Sequence, residues 1–120
     1  MTLNVTPQAS PLAGRLVQES NAGPAPDVNV TGGLGTLFLV DVDNSLNTTP
    51  TFVKVFDNPS PAVGTTAADL VLKAPANTRS VFSILPGLAF TNLSFAAVTG
   101  ADQTSVTAPA RAVTVRLVTS

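Results

Sequence analysis

The clearest regularity along the chain is a period of two. Residues 113–117 read Val-Thr-Val-Arg-Leu, so Val113, Val115 and Leu117 alternate with Thr114 and Arg116. Successive side chains of a strand point to opposite faces, so this pattern predicts a half-buried strand over 111–119. The same alternation sets Phe52, Lys54 and Phe56 against Val53 and Val55, and Leu70 and Leu72 against Val71 and Lys73. Over 34–43 it places Phe38, Val40 and Val42 on one face and Leu37, Leu39 and Asp41 on the other. Residues 79–85 predict a fourth strand, stopped by Pro86-Gly87. Residues 88–90 and 93–99 predict two short strands or one bent one, with Thr91-Asn92 at the bend. Turn chemistry fills the gaps at Asp43-Asn44-Ser45, 57–66, 75–78 and 100–109. No window supports a helix, and no fixed-period repeat exists. Short strands about ten residues apart define an all-β chain, an antiparallel β-sandwich (jelly-roll or Ig-like) of six to eight short strands.

The first 33 residues have a different texture. They hold Pro7, Pro11, Pro24 and Pro26 with Gly14, Gly23, Gly32 and Gly33. That density of Pro and Gly breaks helices and central strands, and only residues 15–19 fit a strand. The expected organisation is an extended N-terminal arm over 1–33 and a β-sandwich domain over 34–120. The arm is either disordered or ordered against a neighbouring subunit, with Leu12, Leu16 and Val17 as apolar anchors. Gly32-Gly33-Leu34-Gly35 reads as a hinge between the two. It precedes a strand, whereas a phosphate cradle needs glycines that open a helix.

Composition then restricts function. A chain of 120 residues is one domain with a single core. Only 11% of residues are charged, against about 25% in a usual soluble domain. Such a surface disperses poorly unless it is covered. A membrane span does not explain it. The uncharged stretch 80–101 is interrupted by Pro86, Gly87, Asn92 and Gly100, and the N-terminus lacks the pattern of a secretory signal. Covered surface in an oligomer or lattice is the better reading. Net charge is −1, the six basic residues form no run, and Trp and Tyr are absent, which argues against nucleic acid.

The chain has no His and no Cys. Neither a His-based triad nor a usual zinc site can be built from it, and no cofactor is expected. A two-carboxylate glycosidase would lack aromatic sugar platforms. Asp41 and Asp43, with Asn44 or Asp57, offer the sharpest acidic cluster, but no calcium-loop spacing accompanies it, so these acids read as the polar end of a strand. The six Phe all fall in predicted strands, where most serve the core.

Residues 42–101 (VDNSLNTTPTFVKVFDNPSPAVGTTAADLVLKAPANTRSVFSILPGLAFTNLSFAAVTGA) complete the pattern. The Val-Asp-Asn-Ser strand end at 42–45, the strand at 53–57, the Pro-x-Val-Gly-Thr-Thr segment within 61–76, the 85–96 segment and the Val-rich strand at 111–118 together resemble a group of small phage-encoded virion proteins. Phe56 departs from the Tyr that the pattern favours. The resemblance implies a capsid cement or decoration protein on the outer surface of the virion, made in the host cytoplasm. Its partners would be the major capsid protein and itself, as a homotrimer, with no nucleic acid and no membrane. It implies no catalytic residues. A tail or head-fibre adhesin binding a host surface is the alternative. The expected contact residues are Leu3, Val5, Leu12, Leu16 and Val17 of the arm, and Pro59, Pro61 and Val63 of the following loop.

Overall fold

A computed structural model describes residues 3–7 and 14–120. They form eight strands and no helix: β1 (Leu3–Pro7), β2 (Arg15–Glu19), β3 (Gly35–Asp43), β4 (Thr51–Asp57), β5 (Leu70–Ala74), β6 (Arg79–Phe90), β7 (Leu93–Val98) and β8 (Thr114–Thr119). Two antiparallel sheets result, ordered β1-β2-β8-β3-β6 and β5-β4-β7. This is the expected all-β sandwich.

Alternation decides what lies between the sheets. Val40 stands opposite Leu117, and Val42 opposite Val115. Val53, Val55, Phe95 and Ala97 answer them from the smaller sheet, all at most 1% exposed. Burying each such side chain is worth roughly 1.5–3 kcal/mol, so this layer supplies the main driving force.

The predicted faces fail at one point in β3. The register shifts between Leu37 and Leu39. Leu37 therefore enters the core beside Val40 and Val42, and Phe38 is left half-buried. A bulge of this kind flips the phase of a strand, which strict period-two reading cannot foresee. The same irregularity explains why Pro86-Gly87 does not end β6. Leu37 pairs with Leu88 and Leu39 with Ser83, so residues 84–87 sit outside the ladder, where a residue without an amide hydrogen costs nothing. Gly87 has φ 124°, and a side chain there would collide with Thr36 and Phe38.

The segment expected as an arm is built into the sandwich over its described part. β2 pairs with β8 and places Val17 opposite Leu117. Val17 is fully buried, and Ala22 and Val30 are buried as well. Residues 23–30 then run beside β7. Asp27 exchanges both backbone hydrogen bonds with Phe95 (2.9 and 3.0 Å), Val30 donates to Leu93 O, and Gly23 O accepts from Ala97. Two prolines keep this strap from forming a regular strand, but its anchoring is strand-like. Gly32 (φ 76°) turns the chain from the strap into β3, its amide donating to Asn29 O. The proposed hinge is thus a tight turn between packed elements.

Two loops complete the fold. Residues 58–66 and 99–107 lie across the outer face of the smaller sheet. They bury Phe56, Pro61, Ala96 and Val98 in a second, smaller apolar layer.

Candidate functional site

The chemistry-bearing side chains are mostly occupied in holding the fold. Asn44, read from sequence as turn chemistry, is completely buried. Its Nδ2 donates to the carbonyls of Thr49, Ala74 and Pro75, at 3.0, 3.2 and 3.1 Å. Its Oδ1 accepts from Asn47 Nδ2 (2.9 Å) and Thr51 Oγ1 (2.7 Å). Asn47 in turn bonds both backbone groups of Arg111. One asparagine thus ties the end of β3 to the end of β5 and to the approach of β8. A buried polar network of this kind is costly unless satisfied, and here its members satisfy one another.

The acids considered for calcium do not converge. Asp41 lies on the outer face of the larger sheet and pairs with Arg79, whose Nε donates at 3.0 Å, while Arg116 Nη1 lies 3.6 Å away. Asp43 Oδ1 accepts from the Ser45 amide, and hydrogen bonding to Ser45 lowers its pKa. Asp57 Oδ1 accepts from the amides of Thr91 and Asn92 and caps the β6–β7 turn. Among the described residues no group of three potential ligands gathers.

Two ionisable groups are sealed inside. Glu19 projects from β2 into the core and is fully buried. Asp27, on the strap, is 6% exposed, and burial, reinforced by the charge of Glu19, raises its pKa to about 6. This carboxylate pair faces the interior of the sandwich, not a groove that a sugar could enter. Lys54 is buried on the opposite side of the smaller sheet. Its ammonium donates to the carbonyls of Asp102 (2.6 Å), Gln103 (3.4 Å) and Ser105 (3.5 Å), and burial lowers its pKa. It clamps the 99–113 loop.

What remains for function is surface. The expected contact residues are scattered over it. Leu3 and Val5 are 40% and 43% exposed on β1. Leu12 lies outside the described residues. Leu16 is half-buried on the outer face of the larger sheet, opposite Val118. Val17 belongs to the core and has no surface to offer, because β2 turns it toward Leu117. Pro59 is exposed, Val63 half-buried, and Pro61 is buried beneath its own loop.

The structure gathers a different apolar region. β5 and β6 form the open flank of the sandwich, one from each sheet. Leu70, Leu72, Phe82 and Ile84 turn inward there and pack only partly against the core, while Val71 (41% exposed) and Val81 (57%) stand on the outer faces of their sheets, opposite Lys54 and Asp41, and Leu85 (78%) lies in the unpaired stretch of β6. A cavity of about 110 Å³ opens at its end, with Val55, Leu88, Phe90 and Leu93 as apolar wall and Asp57 and Asp69 at the rim. The β6 side of this flank lies within the charge-free run 80–101.

Comparison with protein-family models, with curated proteins and with solved structures found no match.

Proposed function

We propose that the chain is a virion structural protein. It acts as a capsid cement or decoration protein, lying on the outside of an icosahedral phage head and bridging capsid subunits. The observation that carries this reading is the open β5–β6 flank, with apolar side chains exposed along two free strands of a chain that has only 11% charged residues. Exposed apolar rows on unpaired strands favour burial against protein. The resemblance over residues 42–118 supplies the partner: the major capsid protein, together with further copies of this chain. The protein works without cofactor, nucleic acid or membrane, and it catalyses nothing.

The mechanism is additive burial. Each copy removes apolar area from water at about 25 cal/mol per Å², less the cost of association. Repetition over a shell turns modest single contacts into resistance to internal pressure.

Quantitative mass spectrometry of purified particles, before and after a mild chaotrope wash, tests this. Hundreds of copies per particle, with stripped heads that break more readily, is the expected result. A few dozen copies or fewer, retained on isolated tails, would move the chain to the adhesin class.

A further inference from the structure

Four strands end the two sheets, and three of them are managed. The β7 edge is covered by residues 23–30. The β6 edge is broken by the four unpaired residues 84–87, which include Pro86. β1 carries Pro7 and no charge that could fix a register. β5 differs. It pairs with β4 over Leu70–Ala74 without a register shift, contains no proline, and has no strand on its other side. A bare, regular edge of this kind is a template for another strand.

The sequence of this edge specifies which strand. Asp69-Leu70-Val71-Leu72-Lys73 has opposite charges at its ends and Val71 at its centre. Asp69, Val71 and Lys73 are exposed, while Leu70 and Leu72 turn partly inward. We infer that β5 pairs antiparallel with β5 of a second copy, about a two-fold axis through Val71, joining the two smaller sheets into one six-stranded sheet.

In that register Val71 faces Val71, Leu70 faces Leu72, and Asp69 faces Lys73 twice. Side chains directly opposite in an antiparallel pair share a face, so only even shifts are allowed. A shift of two residues one way places Asp69 against Val71. The same shift the other way places Asp69 against Pro75. Either shift loses both charge pairs. Neither Asp69 nor Lys73 has an ion-pair partner within the chain among the described residues. Asp69 stands one residue before β5, where its amide donates to Val55 O (2.9 Å) and its Oδ2 accepts from the Asp57 amide (2.6 Å), so the strand's end is held against β4 and the other carboxylate oxygen is left for an ammonium. The half-buried Leu70, Leu72, Phe82 and Ile84 lie on the same flank, so pairing extends the core from one copy toward the next.

This contact does not rest on the capsid reading, because it belongs to the free chain. Light scattering on the full chain, over a range of concentrations, tests it with Lys73→Glu, Asp69→Lys and their equimolar mixture. The unaltered chain is expected at twice its 12.2 kDa mass. Each variant places like charges opposite each other twice, and its dissociation constant should rise about tenfold or more. The mixture restores both attractive pairs and should form the heterodimer. Thermal unfolding confirms that each variant is folded. If Asp69→Lys does not fold, Lys73→Glu read against Lys73→Arg, which keeps the pair, carries the test alone. A monomer at all concentrations, a trimer, or a dimer indifferent to these substitutions would overturn the inference.

Discussion

The two edges of the smaller sheet flank the same central strand, β4, and have opposite fates. β7 (LSFAAV) is buried at every position, sealed by the strap of residues 23–30. β5 (LVLKA) alternates between half-buried and exposed up to Lys73, ends on the buried Ala74, and has no strand on its outer side. Their sequences differ accordingly. β7 has no charge and uses Ser94, Ala96 and Ala97, small enough for a strap and a loop to lie close. β5 is bounded by Asp69 and carries Lys73. An edge completed within the chain needs only size complementarity. An edge left for another chain needs a register, and a pair of opposite charges provides one.

The largest expected break in this comparison is at Phe95. Removing its fully buried ring in Phe95→Ala should cost about 3–5 kcal/mol in denaturant unfolding. Val71→Ala on the open edge should stay within about 0.5 kcal/mol when the chain is dilute. Near-equal costs would mean that β5 is core. Next is Asn44→Ala. It strips bonds from Thr51, Asn47 and the carbonyls of Thr49, Ala74 and Pro75, so a loss of about 2–4 kcal/mol is expected. The β5–β6 turn should then exchange its amide hydrogens faster.

The smallest effect is on the strap. Burial holds Asp27 at about 6 rather than 3.8, so between these values the native chain binds more protons than the unfolded one. The contribution of this group to stability is therefore full below pH 3.8 and is lost as pH rises through 6. Asp27→Asn should remove that slope and stabilise the chain at pH 7–8 by on the order of 1 kcal/mol. Urea titrations at pH 4 and pH 7.5 would show it. A variant that keeps the slope would place the titrating group elsewhere.

How much of this was legible depends on which residues govern each feature. Strands β4, β5 and β8 follow from alternation in a regular ladder, and β2 and β7 from short apolar stretches bounded by turn residues. β3 and β6 were legible in position but not in phase or length. The bulge at Leu37–Leu39 resets one and excuses Pro86 in the other, and neither effect is local to the residues that show it. The strap was illegible for a related reason. Pro24 and Pro26 mark it as irregular, while its bonds to β7 depend on residues about 70 positions away. Val17 was expected at a partner contact because it sits in a proline-rich lead-in, yet β8 returns to cover it. Of the candidate surface, Leu3, Val5 and Pro59 are exposed as a contact residue would be. The open flank needed the sheet order, since no periodicity states which strand is last in its sheet.

The claim that β5 is where this chain meets another is tested most directly by hydrogen exchange at rising protein concentration. Protection should grow over residues 70–74 and stay constant over the already sealed residues 93–98. Growth confined to β1 or β6, or no concentration dependence anywhere, would contradict it.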